Sequence, residues 1–553
     1  MFYFLAMHFN LADLFEIVVD TCPDRLALVA GDQRRTYGEL DERANRLAHH
    51  LLDSGVTPGD PVAVLAWNRA EWVEAELGIY KARASVINVN YRYVADELRY
   101  MFENSDAVAL VFERAFAPVL AQLRDACPKL KHLVVLDDGS GDLDEQEASA
   151  KAIADLGAVE YEVALAQASP ARDFAPRSPD DLYILYTGGT TGLPKGVLWC
   201  QEDIFFAALG GGGFGQPPIT SAEELATRVN ADDAMTVQIV NAPMMHGGGQ
   251  WASFINFFAG NTVVLNCDHH YDADRVLRLA ERERAASIMV VGDAMARPLA
   301  DALAEPGASH DLSSVAVIGS GGAILSSVVR EQLQARLPNA KVMDSFGASE
   351  TGHAGTVLDL ERGGPKFTMN ETTNVLDDEG RPVAPGSGEV GLLARRGHIP
   401  LGYHKDEAKT AATFLVDPDG ERWVIPGDSA LIDADGTLHL LGRGSVCINT
   451  GGEKVYPEEV EAVLKAHPDV YDAVVVGVPD ERFQERVAAI VTPRAGSAVT
   501  LGDLQDFCHD RLARYKHPRQ LHLTDEIPRT PVGKPDYRWA KRLATEAAIE
   551  RSE

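Results

Sequence analysis

Residues 186–196 combine the residue types that bind phosphate. This segment contains four glycines, three threonines and one lysine, and it follows Leu182–Leu185, an apolar run typical of a buried strand. Glycine lets backbone N–H groups approach an anion closely, threonine adds hydroxyl donors and lysine adds a positive charge. We therefore predict a polyphosphate-binding loop formed by Thr187, Gly188, Gly189, Thr190, Thr191, Gly192 and Lys195.

A flexible turn is the alternative interpretation of the same segment. The density of hydrogen-bond donors directly after a strand favours phosphate binding. The loop does not match the Walker pattern, because Leu193 and Pro194 separate Gly192 from Lys195. A P-loop of the kinase or GTPase kind is therefore disfavoured.

This segment resembles the phosphate loop of the adenylate-forming superfamily, which includes acyl-CoA synthetases, firefly luciferase and the adenylation domains of peptide synthetases. Segments that resemble the family's other motifs follow in the family's order across nearly the whole chain. Residues 291–303 and 448–457 most closely resemble actinobacterial fatty-acid and steroid side-chain CoA ligases. The resemblance implies that the protein binds a carboxylic acid, ATP, Mg²⁺ and coenzyme A. It also implies a role in lipid and fatty-acid metabolism or in steroid metabolism, including cholesterol catabolism.

Two segments resemble the family's adenine and second nucleotide motifs. Residues 318–323 resemble the adenine-binding turn, although an ordinary strand-to-helix turn has the same composition. Residues 344–351 resemble the second motif, which implies that Phe346 stacks on adenine and that Glu350 holds Mg²⁺, a hard cation suited to carboxylate oxygen. The predicted binding residues of the two segments are Gly321, Gly322, Ala323, Asp344, Phe346, Gly347, Ser349 and Glu350.

The C-terminal third carries the remaining motifs. The resemblance implies that Asp428 binds the ribose hydroxyls and that Arg443 binds ribose or phosphate. Ser445 stands at the hinge position, where family members often carry Asp or Lys. Residues 528–535 resemble the last motif, in which Lys534 is the catalytic lysine, although a lone lysine in a tail is usually just solvated. The glycine loop after the hinge contributes the predicted binding residues Gly451, Gly452 and Lys454.

The implied chemistry has two steps. A carboxylate first attacks the α-phosphorus of ATP, and because two anions must meet, the main tasks are charge neutralisation and alignment. Lys534 would bridge the two anions, and Thr190, Thr191 and Lys195 would help to neutralise the outer phosphates. A thiol then attacks the mixed anhydride after the small domain rotates, and the glycine loop lines a pantetheine tunnel. The alternatives are an adenylate-only enzyme that serves a carrier protein, a luciferase-type oxygenase and a non-enzymatic binding protein.

Residues 243–251 resemble the segment that flanks the acyl pocket. His246 occupies the family's gate position, and a hydrogen-bonded structural histidine is the alternative. No Asp stands where peptide synthetases bind an amino group, so amino acids are disfavoured, and the resemblance favours a long, bulky or steroid-linked acid. Asp293 would bind a substrate hydroxyl or form an internal cap. Room for the acid would come from Gly247, Gly248 and Gly249, and apolar lining from Met244, Met245, Trp251, Phe254 and Phe257, although each of these five is more often plain core packing.

Helix and strand patterns alternate along the chain and predict an α/β fold with parallel sheets. We predict a large N-terminal adenylation domain of layered α/β subdomains, residues 1–442, joined by a hinge to a small α+β C-terminal domain, residues 443–553. Pro457 begins a helix with acidic residues in its first turn, and residues 210–218 predict a mobile surface loop. Further predicted helices are 38–54, 71–82 and 500–514, and predicted strands are 62–66, 85–89, 182–185, 474–478 and 487–491.

Composition limits the class of partner and the compartment. The 553-residue chain has a net charge of -31, which disfavours nucleic acids and anionic membranes. Six dispersed cysteines and no CxxC pair fit a reducing cytoplasm. No apolar run is long enough to span a membrane. Residues 1–5 lack the basic leader of a signal peptide. The sequence leaves the start site, Met1 or Met7, and a homo-oligomeric state open.

Overall fold

The structure is a computed structural model of the chain. It describes residues 9–139, 143–187, 193–211, 217–231, 236–305, 310–361, 364–369, 371–377, 379–417, 419–443, 447–450, 453–480, 484–530 and 533–549. The helices are α1 (Leu11–Thr21), α2 (Tyr37–Asp53), α3 (Ala70–Lys81), α4 (Ala95–Ser105), α5 (Ala117–Leu123), α6 (Leu143–Leu156), α7 (Tyr161–Gln167), α8 (Gln201–Ala208), α9 (Ala222–Ala231), α10 (Gly247–Phe258), α11 (Ala273–Glu283), α12 (Gly292–Ala304), α13 (Ser327–Arg336), α14 (Glu407–Thr413), α15 (Pro457–Lys465), α16 (Leu501–Cys508) and α17 (Tyr537–Ile549).

The strands are β1 (Leu26–Ala30), β2 (Gln33–Thr36), β3 (Pro61–Leu65), β4 (Ser85–Asn88), β5 (Ala109–Glu113), β6 (His132–Leu136), β7 (Val159–Glu160), β8 (Leu182–Thr187), β9 (Lys195–Cys200), β10 (Val237–Val240), β11 (Thr262–Leu265), β12 (Ser287–Val290), β13 (Val317–Gly321), β14 (Lys341–Ala348), β15 (Gly352–Glu361), β16 (Gly364–Met369), β17 (Thr373–Leu376), β18 (Gly391–Arg395), β19 (Gly402–Tyr403), β20 (Phe414–Val416), β21 (Arg422–Val424), β22 (Asp428–Ile432), β23 (Leu438–Arg443), β24 (Ile448–Thr450), β25 (Glu453–Val455), β26 (Val470–Asp480), β27 (Gln484–Pro493) and β28 (Gln520–Leu523). None of the helices in these ranges is both long enough and apolar enough to cross a membrane.

The chain divides into two compact units. The first comprises residues 1–289, 310–315 and 398–412, and the second comprises residues 290–309, 316–397 and 413–553. The predicted domain boundary at residues 442 and 443 stays a prediction.

The described residues of the first unit form three sheets. One is fully parallel, in the order β4-β3-β5-β6-β7. A second has the order β2-β1-β11-β10-β12, in which only β2 is antiparallel to its neighbour. The third is the antiparallel set β8-β9-β19. Helices α2 and α3 pack closely, because Gly78 lets α3 approach α2 until a Cβ at this position would lie 3.0 Å from the Ala44 carbonyl oxygen.

The second unit begins with a parallel pair and continues as an antiparallel sheet. Strands β13 and β14 are parallel, with α13 between them, and antiparallel pairing follows through β15, β16, β23, β22 and β18. The C-terminal part has the order β25-β24-β27-β26, with β28 parallel to β27. Successive residues of β26 enter two different cores, Val475 on one face and Val474 on the other, as the two-residue period of a strand requires.

The α/β class and most of the predicted elements are confirmed. The expectation of parallel pairing holds in the second unit for β13-β14 and β27-β28 but is wrong for its other described strand pairs, which are antiparallel. Several of those pairs, such as β14-β15 and β22-β23, are joined by short turns, which allow only antiparallel pairing. The helix predicted at residues 500–514 ends at Cys508. There the chain turns, and the amide of Leu512 donates to the Cys508 carbonyl oxygen, which brings Leu512 into the same core as Leu504. The predicted loop at residues 210–218 lies largely outside the described residues.

Candidate functional site

The adenine-type turn lies at the carboxyl end of β13, where parallel strands commonly place ligand sites. Gly321 pairs with Ser345 of β14, and Gly322 then adopts a φ of +84°, which favours glycine. Gly292, at the start of α12, also has a positive φ, and a Cβ there would lie 2.8 Å from the carbonyl carbon of Ala323. The segment that begins at Val291 therefore lies directly against the predicted adenine turn.

Asp344 supports this turn from inside the protein. Its Oδ2 atom accepts a hydrogen bond from the Leu325 amide at 3.4 Å, and the residue is 5% exposed. Burial raises the pKa of the Asp344 carboxyl to about 6, against the hydrogen bond from Ser320 and the charge of Arg330, which lower it. A direct contact of Asp344 with nucleotide stays a prediction.

The hairpin between β14 and β15 presents Ser349 and Glu350. Thr351 closes the turn: its amide donates to the Ala348 carbonyl oxygen at 3.0 Å, and its hydroxyl accepts from the Ala348 amide at 2.9 Å. A Cβ at Gly347 would lie 2.1 Å from the carbonyl oxygen of Gly352, so this close approach requires glycine. The sequence 347–352 thus fixes the backbone on both sides of the predicted Mg²⁺ ligand.

Arg395, which the sequence did not single out, anchors the same turn. Its Nη1 atom donates to the carbonyl oxygens of Thr351 and His353. Burial lowers the pKa of Arg395 to about 10, so the guanidinium remains charged at neutral pH. Burial, together with the charge of Arg395, lowers the pKa of His353 to about 4. A buried positive charge therefore lies behind the backbone that carries Glu350.

Phe346 lies on β14, and the two predicted ribose residues lie on β22 and β23 of the same sheet. The Phe346 ring packs on Phe367 with a centroid distance of 4.2 Å. Asp428 begins β22 and is the direct cross-strand partner of Arg443 at the end of β23. The fold thus brings Asp428 and Arg443 together at the backbone level.

The predicted catalytic lysine lies on a small hairpin near the C-terminus. Arg529 bridges to Pro535, and the Thr530 amide donates to the Lys534 carbonyl oxygen at 2.8 Å. Gly533 has a φ of +68°, and a Cβ there would lie 3.1 Å from the Ala294 Cβ and 3.2 Å from the Val291 carbonyl oxygen. The hairpin therefore lies against the start of α12.

Val291 connects the two parts of the site. A Cβ at Gly322 would lie 3.8 Å from its Cγ1 atom, and one at Gly533 would lie 3.2 Å from the same atom. The adenine-type turn and the Lys534 hairpin therefore flank one apolar side chain. Lys534 itself is exposed.

In the first unit, the ends of the predicted phosphate loop are held together by strand pairing. Thr187, the last residue of β8, pairs with Lys195, the first residue of β9. The Lys195 Nζ atom lies 2.5 Å from Asp406 Oδ2, and both side chains are about one-third exposed. The hydrogen bond from Lys195 lowers the pKa of Asp406. Gly188, Gly189, Thr190, Thr191 and Gly192 lie outside the described residues, as do Ser445, Gly451 and Gly452; Lys454 is described and exposed.

The three glycines after His246 differ in their surroundings. A Cβ at Gly247 would lie 2.8 Å from Leu185, and one at Gly249 would lie 2.4 Å from the Pro243 carbonyl oxygen. At Gly248 the nearest atom would be Met289 Cε, at 3.6 Å. Gly247 and Gly249 therefore serve close packing, whereas Gly248 is exposed and would accept a Cβ at ordinary contact distance.

The five residues predicted to give the acyl pocket an apolar lining also differ in their exposure. Met244, Met245, Phe254 and Phe257 are at most 1% exposed and belong to the core. Trp251 is half-buried, and its Nε1 atom donates to the Tyr183 hydroxyl at 3.1 Å. Trp251 is therefore the partly accessible member of the set.

His246 and Asp293 have well-defined local roles. His246 precedes α10, and its carbonyl oxygen accepts from the Gly249 amide at 3.0 Å, whereas its gate role stays a prediction. Asp293 Oδ1 accepts from the Ser326 amide at 2.8 Å, and Oδ2 accepts from Arg297 at 3.2 Å. Asp293 is thus an internal cap, and its binding of a substrate hydroxyl stays a prediction.

The chemistry of Glu350 fits Mg²⁺. In the described ranges no group of three or more His, Cys, Asp or Glu side chains could hold a metal ion on its own. Mg²⁺ is commonly bound by one or two carboxylates together with substrate phosphates rather than by an all-protein cage. A single carboxylate at the tip of a rigid turn suits that mode of binding.

Comparisons with known proteins identify the family. Residues 15–404 match the family described as AMP-binding enzyme, and residues 459–534 match its C-terminal domain. The chain is 48% identical, over 97% of both chains, to the medium/long-chain-fatty-acid–CoA/3-oxocholest-4-en-26-oate–CoA ligase of Mycobacterium marinum. It is also 48% identical to the 3-oxocholest-4-en-26-oate–CoA ligase of Rhodococcus rhodochrous, over 97% of this chain and 96% of that protein.

A solved structure supports the same assignment. The anthranilate CoA ligase AuaEII in complex with anthranoyl-AMP superposes with a TM-score of 0.82 at 25% identity, over 99% of both chains. The chain therefore belongs to the AMP-binding enzyme family.

Proposed function

We propose that the protein is an ATP-dependent acid–thiol ligase that converts a long-chain or steroid side-chain carboxylate into its acyl-CoA. The reaction proceeds through an acyl-AMP and releases AMP and pyrophosphate. The observation that carries the proposal is that Val291 is flanked by the adenine-type turn at Gly322 and by the hairpin of Lys534. This arrangement supports a lysine that acts on the α-phosphate of a nucleotide held by the turn.

In the first step, an acid oxygen attacks the α-phosphorus of ATP, and the bond to pyrophosphate breaks. No protein nucleophile is required, so this chain's residues align the two anions and offset their charge. Lys534 bridges the carboxylate and the α-phosphate. Lys195, with Thr190 and Thr191, binds the outer phosphates, and ATP displaces Asp406 from Lys195.

The nucleoside is held by residues of the second unit. Phe346 stacks on adenine at the level of Gly321–Ala323, and Asp428 accepts hydrogen bonds from the ribose hydroxyls, with Arg443 opposite it on the neighbouring strand. Glu350, together with Asp344, Gly347 and Ser349 of its segment, completes the nucleotide site. Glu350 would hold Mg²⁺ with phosphate oxygens, and the ion would offset phosphate charge.

In the second step, the thiol of coenzyme A attacks the acyl carbonyl and AMP leaves. We propose that residues 443–553 form a mobile domain that pivots at Ser445 between the two steps. Lys534 then leaves the site, and the loop of Gly451, Gly452 and Lys454 enters it to bind pantetheine. The six free thiols fit a cytoplasmic setting for this reaction.

The class of carboxylic acid substrate is inferred from the relatives and from residues 243–251, the segment predicted to flank the acyl pocket. The two relatives described above are named for fatty acids and for a steroid side-chain acid. The exposed Gly248, where a side chain would be tolerated, and the half-buried Trp251 support a bulky apolar acid at this site, gated by His246.

The test is CoA-dependent AMP release measured over short-, medium- and long-chain fatty acids and a steroid side-chain acid. We expect turnover with long-chain or steroid acids and little with short ones. Acyl-AMP formation without transfer to CoA would contradict the ligase and favour an enzyme that delivers to a carrier protein. No acyl-AMP from any of the acids would contradict the proposal.

A further inference from the structure

The hairpin that carries Lys534 is held by one guanidinium group. Arg529 Nη1 donates to the Gly533 carbonyl oxygen at 2.6 Å, and Arg529 Nη2 donates to Asp472 Oδ2 at 2.5 Å. One planar side chain thus joins the residue directly before Lys534 to a carboxylate of β26. Both side chains are largely buried, at 18% exposure for Arg529 and 13% for Asp472.

Asp472 is itself fixed to the core of the C-terminal part. Its Oδ1 atom accepts from the Ala473 amide at 2.9 Å and lies 3.6 Å from the Nζ atom of Lys465, a buried lysine of α15. Burial alone would raise the pKa of Asp472, but the charges of Lys465 and Arg529 lower it below its ordinary value. The carboxylate therefore stays ionised and offers a fixed anchor.

We propose that Arg529 and Asp472 are positioning residues that hold the Lys534 hairpin in the geometry required for acyl-AMP formation. This inference rests on the proposed function. Neither residue touches the reacting atoms. Arg529 acts through the carbonyl oxygen of Gly533, and Asp472 acts through Arg529.

The geometry explains why a lysine on this hairpin needs such an anchor. A lysine side chain is long and flexible, so the position of its ammonium group depends on where the backbone is held. A displacement of about 1 Å at a reacting group can cost on the order of 100-fold in rate. Arginine suits this role, because its rigid fork of donors reaches a carbonyl and a carboxylate together, which a single ammonium group does less well.

The proposal is tested by measuring the two half-reactions separately in full-length protein. We expect Arg529→Met to slow acyl-AMP formation by roughly 10- to 100-fold. Transfer of the acyl group from synthetic acyl-AMP to CoA should change less than about threefold, because Lys534 has no part in that step. Arg529→Lys should lose less than Arg529→Met, and Asp472→Asn should act in the same direction.

Arg486→Met is the matched control in the same part of the fold. Arg486 is also partly buried, lies 3.6 Å from Asp480 and donates to Gln520 Oε1 at 2.9 Å, and none of these contacts involves the hairpin. We expect this variant to lose stability without a selective loss of acyl-AMP formation. Circular dichroism and thermal melting show whether each variant folds.

The outcomes separate this inference from the proposed function. If Arg529→Met forms acyl-AMP at the wild-type rate, slows both half-reactions equally, or behaves as Arg486→Met does, the positioning role is wrong. If the wild-type protein forms no acyl-AMP, the proposed function fails first. If the wild type forms acyl-AMP and Lys534→Ala forms it equally fast, the assigned role of Lys534 and this inference fail together.

Discussion

Replacing Gly533 with alanine should disturb the contact between the Lys534 hairpin and the start of α12 through two separate effects. Gly533 has a φ of +68°, and a side chain in this left-handed region costs about 1–2 kcal/mol. The new Cβ would also lie 3.1 Å from the Ala294 Cβ and 3.2 Å from the Val291 carbonyl oxygen. Overpacking of this kind costs about 1–3 kcal/mol.

The second effect is relieved if the hairpin moves away from α12. A penalty of about 1–3 kcal/mol lowers the equilibrium constant for the hairpin position against α12 by roughly 5- to 150-fold. We therefore expect Gly533→Ala to slow acyl-AMP formation by up to that factor. Transfer from preformed acyl-AMP to CoA should stay near the wild-type rate. Pyrophosphate release on mixing with ATP and acid, without CoA, measures the first step.

Gly496→Ala is a matched control for the backbone effect. Gly496 has a φ of +79°, and nothing lies within 4 Å of a Cβ at this position. The Gly496→Ala variant should therefore lose about the same 1–2 kcal/mol of folding stability. The rates of both half-reactions should stay near those of the wild type. If Gly533→Ala forms acyl-AMP as fast as Gly496→Ala does, the contact of Gly533 with α12 has no role in the first step.

Three further substitutions test other parts of the structure. Asp406→Asn removes an ion pair of about 0.5–1 kcal/mol that competes with ATP for Lys195, so the KM for ATP should fall roughly two- to fivefold. Gly248→Leu adds a bulky side chain at the exposed Gly248 of α10 and should lower kcat/KM for long or steroid acids relative to shorter ones. Glu76→Gln should abolish a loss of stability with rising pH. Burial raises the pKa of Glu76 to about 8, and at about 1.4 kcal/mol per pKa unit the loss from pH 4.5 to pH 8 is on the order of 5 kcal/mol.

The sign of the Glu76 effect follows from proton binding. Between pH 4.5 and pH 8 the folded carboxyl keeps its proton while the unfolded one loses it, so folding becomes less favourable as pH rises. The side chain is fully buried in α3, and Oε1 accepts from the Tyr80 hydroxyl at 3.0 Å. Chemical denaturation from pH 5 to pH 9 measures the difference, and parallel stability curves for Glu76→Gln and wild type would contradict it.

Specific results would also contradict the predictions for Asp406→Asn and Gly248→Leu. An unchanged or higher KM for ATP in Asp406→Asn would show that the ion pair does not oppose nucleotide binding. Asparagine can still accept the hydrogen bond that Asp406 takes from the Lys409 amide at 3.0 Å, so α14 should keep its N-terminus. An unaltered preference among acids in Gly248→Leu would place the acyl chain elsewhere.

The sequence predicted those parts of the site that are encoded locally. The turn that presents Glu350 depends on Gly347 and Gly352, and the adenine-type turn depends on Gly322, all within a few residues of the predicted groups. The small domain's helix at Pro457 was predictable because proline and acidic residues mark a helix N-terminus.

The supporting residues could not be predicted in this way, because their partners are distant in the chain. Arg395 lies 44 residues from Thr351, Asp472 lies 57 residues from Arg529, and Asp406 lies 211 residues from Lys195. A lone buried arginine or aspartate has no local pattern that distinguishes it from a surface charge. The three glycines at residues 247–249 show the same limit, since only the fold reveals which two of them are required by close packing.

In the proposed mechanism Lys534 promotes formation of the acyl-adenylate and has no part in its transfer to coenzyme A. The most direct measurement compares wild type and Lys534→Ala with α-labelled ATP and a long-chain acid, first without CoA and then with synthetic acyl-AMP and CoA. We expect Lys534→Ala to form labelled acyl-AMP at least about 100-fold more slowly yet still to convert supplied acyl-AMP to acyl-CoA. Undiminished acyl-AMP formation by Lys534→Ala would contradict this mechanism.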